Sequence, residues 1–210
     1  MPASRDFFRR DAPTLARALL GQRLVRVVDS QRLAGTIVET EAYCGAEDRA
    51  AHSFGHRRTP RTEPMFADGG TAYVYFTYGM HHCMNVVAAT RDDPQAVLIR
   101  ALEPTEGLDA IRRRRPAARR DTDLCSGPAR LCEAMAIDRT LSGLDLLDSE
   151  AIWIERLTRR PPPVSRLTVT PRVGVKYAAD WADKPLRYCL KDHPHVSRPP
   201  RSAFAATAGM

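Results

Sequence analysis

No stretch of this chain is long and apolar enough to cross a bilayer, which takes about 20 consecutive apolar residues. The opening residues, MPASRDFFRRD, are polar and charged and lack the apolar segment of a secretory leader. No membrane partner is expected, and the expected location is intracellular: cytoplasm or nucleoid, or the nucleus in a eukaryote. Cysteine is sparse and never forms a CxxC pair, which removes support for a zinc ribbon or a thioredoxin-like site. Cys44, Cys83, Cys125, Cys132 and Cys189 read as reduced thiols. Phosphate loops, GxGxxG turns and GxSxG elbows are all missing, so neither nucleotide-cofactor chemistry nor a serine nucleophile is indicated. There is no internal repeat and no linker that divides the chain.

What is there supports one packed domain. The chain has 210 residues, 43% of them apolar, which is enough for a core. Its net charge of +7 points to an anionic partner, most often nucleic acid. The pattern organises around Thr71 to Val87, TAYVYFTYGMHHCMNVV. Aromatic and β-branched residues from Ala72 to Thr77 favour a strand, Gly79 breaks the run, and His81 to Val87 reads as a second strand. The result is a hairpin with Tyr78, Gly79 and Met80 at its tip. A three-residue loop sets Thr77 opposite His81, Tyr75 opposite Cys83 and Tyr73 opposite Asn85, all on one side; a two-residue loop would pair Tyr75 with Met84 and send Asn85 to the opposite face, so a pocket shared by Tyr75 and Asn85 requires the three-residue form. Hairpin tips normally carry small polar residues, because they face water. An apolar tip either packs under another element or works as a wedge.

Elsewhere the reading is coarser. Thr14 to Gly21 is a short amphipathic helix, and Leu24 to Val28 and Gly35 to Tyr43 are strands. In the second strand, alternation puts Ile37, Glu39, Glu41 and Tyr43 on one face. Two carboxylates on one face are either solvated or, if buried, paired and functional. Cys44 to Gly70 is a long loop holding His52, His56 and four arginines. Ala96 to Leu102 is an apolar strand interrupted by Arg100, a cation that calls for Glu39 or Glu41. Pro104 to Arg115 is expected to be helical and to end in a basic run that is either solvated or contacts phosphate. Pro128 starts a helix beside Arg130, Ile152 to Ile154 is a strand, and Arg172 to Val175 and Leu186 to Leu190 are final strands. From His193 the chain is polar and small-residue-rich, and a frayed tail is expected. The core then spans about residues 13–197 and the tail 198–210. His81, His82 and Cys83 are consecutive, so neighbours point to opposite faces of a strand and joint metal ligation is disfavoured. A carboxylate base, an aromatic pocket and a basic surface together suit hydrolysis at a flipped nucleobase.

The ordered set IVETEAY, EDRAAHS, TPR, MF, the YVYFTYGMHHCMN hairpin, LIRALEP, LCSGPARLC and RVGV resembles the alkyladenine, or 3-methyladenine, DNA glycosylase family. The resemblance runs from about Leu15 to Ser197. It implies a single mixed α/β (α+β) domain with a curved antiparallel sheet, surrounding helices and a projecting β-hairpin. It implies that Glu41 is the general base, and that Arg100 and the Val173 carbonyl hold the attacking water. Tyr43, His52 and Tyr75 would enclose the flipped base, Asn85 would exclude guanine, and Tyr78 would be the wedge with Met80 beside it. Arg130 and Gly174 would lie near the DNA backbone. The implied partner is double-stranded DNA carrying damaged purines, met by a monomer, with no cofactor and no metal. His81 departs from the tyrosine of mammalian members. The competing reading is a nucleic-acid-binding module without catalysis, and Glu41 discriminates, because a pure binder has no use for an acidic residue facing anionic DNA.

Overall fold

The structure, a computed structural model, describes residues 3–198. One eight-stranded sheet, antiparallel at every pairing, curls into a half-barrel. The strands are β1 (Arg23–Val28), β2 (Gln31–Tyr43), β3 (Ala72–Thr77), β4 (His81–Val87), β5 (Ala96–Glu106), β6 (Ile152–Glu155), β7 (Leu167–Thr170) and β8 (Arg187–Leu190). The helices are few and short: α1 (Arg5–Phe8), α2 (Ala12–Leu19), α3 (Leu108–Arg114) and α4 (Pro128–Ala134). The sheet runs β3-β4-β5-β2-β1-β6, with β8 paired to β2 and β7.

β2 is the hub. On one edge it pairs with β5 along most of its length; on the other it takes β1 up to Thr36 and β8 at Glu39 to Glu41. The change of partner coincides with irregular register against β5, which steps over Val38 on β2 and over Arg100 on β5. Bulges of this kind bend a strand and re-aim side chains. They also correct the simple alternation. Ile37 joins Ala42 in the main apolar cluster, while Glu39, Glu41 and Tyr43 share the opposite face.

The main core lies between the sheet and α2, whose Leu15 and Leu19 are fully buried. Each such leucine contributes about 1.5–3 kcal/mol relative to exposure. The Asp11 carboxylate accepts the Thr14 N–H and caps the helix, and Thr40 of β2 donates to the Ala16 carbonyl. The helix expected from Pro104 begins later. β5 continues to Glu106, because Pro104 sits against Gly35 where the register shifts and no ladder donor is required. Gly107 then turns the chain at φ 72°, and a Cβ there would meet Leu33 at 2.4 Å.

Arg172 to Val175 form no strand. Pro171 ends β7, Gly174 takes φ 81°, and the Arg172 side chain turns inward to Asp48. The stretch from His193 is also unlike the expected frayed tail up to Arg198. His195 and Val196 are buried, and the Ser197 N–H bonds Glu39. The rest of the expected tail, residues 199–210, lies outside the described residues.

Candidate active site

The hairpin register is the three-residue-loop form: Thr77 faces His81, Tyr75 faces Cys83 and Tyr73 faces Asn85. Tyr78 and Gly79 both have positive φ, 51° and 67°, as a tight primed turn requires, and the Met80 N–H bonds the Thr77 carbonyl at 3.2 Å. The tip does not pack under another element. Tyr78 is 87% exposed and Met80 68%. A tyrosine held at positive φ and in water carries a backbone strain of about 1–2 kcal/mol.

At the base of the hairpin, Tyr43, His52, Tyr73, Tyr75, Asn85 and Tyr177 line a cavity of about 50 Å³. This holds a few waters, not a purine. His52 packs beside two of these rings: its centroid lies 4.5 Å from that of Tyr75 at 79°, and its Nδ1 is 2.8 Å from the Tyr73 hydroxyl. Burial, then the nearby Arg61 and Arg57, lower the His52 pKa to about 4, so the ring is neutral near pH 7. The Asn85 amide is buried and donates to the Tyr73 carbonyl at 3.0 Å.

Behind Tyr43 lies a buried cluster of two carboxylates and two guanidiniums. Glu39 Oε1 accepts from Arg100 Nε at 2.7 Å, Arg187 Nε at 2.8 Å and the Ser197 hydroxyl at 3.0 Å; Oε2 accepts the Ser197 N–H at 2.7 Å. Burial pushes the Glu39 pKa up, but Arg100 and Arg187 outweigh it and bring it below the ordinary value. Glu41 is equally buried and less occupied. Its Oε2 accepts from Tyr43 Oη at 3.0 Å and Arg100 Nη1 at 3.3 Å, and its Oε1 accepts the Val173 N–H at 2.6 Å. A carboxylate has about four acceptor sites. Among the described residues Glu39 accepts four hydrogen bonds, three of them on Oε1, and Glu41 accepts three, so Glu39 Oε2 and Glu41 Oε1 each accept a single one. Val173 thus meets Glu41 through its amide.

A second buried pair braces this arrangement. Arg172 bonds Asp48 with Nη2 to Oδ1 at 2.9 Å, and lies over the Tyr43 ring at 4.7 Å. Arg130 is exposed at the start of α4 and donates to the Ser126 hydroxyl at 3.2 Å. Gly174 faces open space. The arginine run is mostly occupied: Arg112 bonds both Asp121 oxygens, Arg114 lies 3.8 Å from Asp29, and Arg115 pairs with Glu133. Around the hairpin the opposite holds. Arg57, Arg61 and Arg139 have no carboxylate partner among the described residues, and Arg61 and Arg139 instead lie over Tyr75 and Phe76.

A family profile described as Methylpurine-DNA glycosylase (MPG) matches residues 6–194. The chain belongs to the methylpurine-DNA glycosylase family. Against this methylpurine-DNA glycosylase family chain, the DNA-3-methyladenine glycosylase of Homo sapiens is 47% identical, over 91% of this chain and 66% of its own length. That of Mus musculus is 45% identical, over 91% of this chain and 60% of its own. A protein of Natranaerobius thermophilus provisionally named 3-methyladenine DNA glycosylase is 42% identical, over 91% of this chain and 96% of its own. The chain thus spans about two thirds or less of the mammalian relatives and nearly all of the bacterial one.

Within this glycosylase-family fold, the candidates Glu41, Arg100, Val173, Tyr43, His52, Tyr75 and Asn85 come together, with Tyr78 and Met80 on the projecting tip. Sequence reasoning missed Arg187, Ser197, Asp48, Arg172 and Tyr177. Arg187 carried a readable signal, a lone charge in an apolar strand, the same one that marked Arg100.

Proposed function

We propose that the chain is a monofunctional DNA glycosylase. It acts as a monomer on double-stranded DNA, flips a damaged purine such as 3-methyladenine, hypoxanthine or etheno-adenine, and hydrolyses its N-glycosidic bond. Glu41 takes a proton from water, the water oxygen bonds to C1′, and the purine leaves with the glycosidic electron pair; an abasic site remains. The observation that carries this reading is the buried carboxylate of Glu41, fixed by the Val173 amide, Arg100 and the hydroxyl of Tyr43, whose side chain lines the aromatic pocket. Glu39, which also accepts from Arg187 and Ser197, holds Arg100 in place. Tyr43, His52 and Tyr75 enclose the base, the His52 backbone amide reads its edge, Asn85 excludes guanine, and the Val173 carbonyl accepts from the water. Tyr78 enters the stack with Met80 beside it. Arg130, the Gly174 backbone and the unpaired arginines of the hairpin flank meet phosphates.

The residues themselves supply the base and the pocket, so the scheme uses no cofactor. The test is incubation with a duplex containing hypoxanthine or 3-methyladenine, followed by alkali. Strand scission at the lesion is expected. Tight lesion binding without scission would favour the non-catalytic reader.

A further inference from the structure

Two cavities meet at the site. Beside the small aromatic one opens a second, of about 290 Å³, lined by Arg49, Phe54, Arg57 and Arg61 among others. The two share three residues, Ala50, His52 and Tyr177, which form the wall between them. Ala50 contributes a buried methyl group. His52 is pinned by the Tyr73 hydroxyl and the Tyr75 ring. Tyr177 is held differently. It is 70% exposed, and its hydroxyl reaches only the Ala50 carbonyl, at 3.5 Å, the outer limit of a hydrogen bond.

The backbone under Tyr177 is firmly set. Val175 and Ala178 are buried in one cluster with Ala50, and Tyr43 packs against it. Ala179 lies at φ 49°, ψ −128°, a strained conformation for any residue but glycine. Anchors on both sides and strain beyond them present a loosely held ring at the lip of the pocket.

The aromatic cavity is too small for a purine, so part of its wall must move. Tyr177 is the member of that wall that can turn without breaking a buried hydrogen bond. We propose that Tyr177 is the door of the base pocket. It swings toward the basic cavity to admit a flipped purine nucleotide, then lays its ring against the seated nucleotide. This role rests on the glycosylase reading and adds a binding residue to it.

The test is single-turnover release of hypoxanthine from a duplex at increasing protein concentration, with binding to undamaged duplex measured in parallel. Tyr177→Ala is expected to raise the half-saturating concentration about tenfold, the order of one lost base–aromatic contact. Its maximal rate should stay within about threefold of the parent, since binding and not chemistry is lost. Affinity for undamaged duplex should be unchanged, and Tyr177→Phe should match the parent, because the ring and not the hydroxyl does the covering. An unaltered half-saturating concentration in Tyr177→Ala overturns the proposal. So does an equal loss on undamaged duplex, or a Tyr177→Phe protein as impaired as Tyr177→Ala. If the parent protein releases no damaged purine, the glycosylase reading fails and the door with it. If the parent turns over and Tyr177→Ala is indifferent, only the door fails.

Discussion

Asn85 donates its side-chain amide to the backbone carbonyl of Tyr73, its partner directly across the hairpin, at 3.0 Å. The bond ties a pocket side chain to the strand register. Asn85 cannot swing aside without giving up this bond of its buried side-chain amide, a penalty of about 1–3 kcal/mol if the amide is left unpaired.

A fixed side chain at the pocket wall suits a device that excludes by shape. Guanine differs from hypoxanthine by one amine at C2. Asn85→Ser is therefore expected to raise guanine release more than hypoxanthine release, by roughly the tenfold to hundredfold that a single group discriminates in a pocket. Single-turnover excision of both bases by both proteins measures it; an unchanged ratio would remove Asn85 from the gate.

Glu41→Gln keeps the shape of the site and removes the proposed base. Loss of about two to four powers of ten in the rate of base release is expected, with lesion binding nearly intact. Single-turnover rates within tenfold of the parent would sink the assignment. Glu39→Gln offers no equivalent test, because it leaves Arg100 and Arg187 short of their common partner.

Salt dependence separates the two groups of arginines. Each neutralised phosphate adds about −0.9 to the slope of log K against log salt on duplex DNA. Arg61→Gln is expected to make that slope shallower by about 1, and Arg112→Gln, whose guanidinium already holds Asp121, to leave it unchanged. Affinities at several salt concentrations decide; the reverse pattern would place the DNA on the α3 side.

His52 sets a pH dependence of stability. Its pKa falls from 6.5 to about 4 in the fold, through burial first and the arginines second. Between those values the unfolded chain binds the extra proton and the folded one does not, so stability rises with pH across this window and is lost on acidification. The slope is at most about 1.4 kcal/mol per pH unit, and less for a ring that is partly solvated. Urea midpoints at pH 7 and pH 4.5 should fall further in the parent than in His52→Asn. Equal falls would show that His52 is not the titrating group.

Much of the site was legible in the residues themselves. The Tyr73, Tyr75 and Asn85 face follows from strand alternation, a local property of the backbone, once the loop has the three residues that a pocket shared by Tyr75 and Asn85 requires, and the structure has that register. The lone Arg100 in an apolar strand called for a carboxylate, because a buried cation without one is too costly, and it found two. Tertiary structure decided what alternation could not. The register steps over Val38 and Arg100, which moved Ile37 to the core face while leaving the carboxylates together, depend on β2 bending from β1 to β8. Both glutamates are buried acids of the same strand, and no spacing rule separates them. Only the fold does so, by bringing Arg187 and Ser197 from the far end of the chain onto Glu39, while Glu41 takes the Val173 amide and the hydroxyl of Tyr43, which lines the pocket.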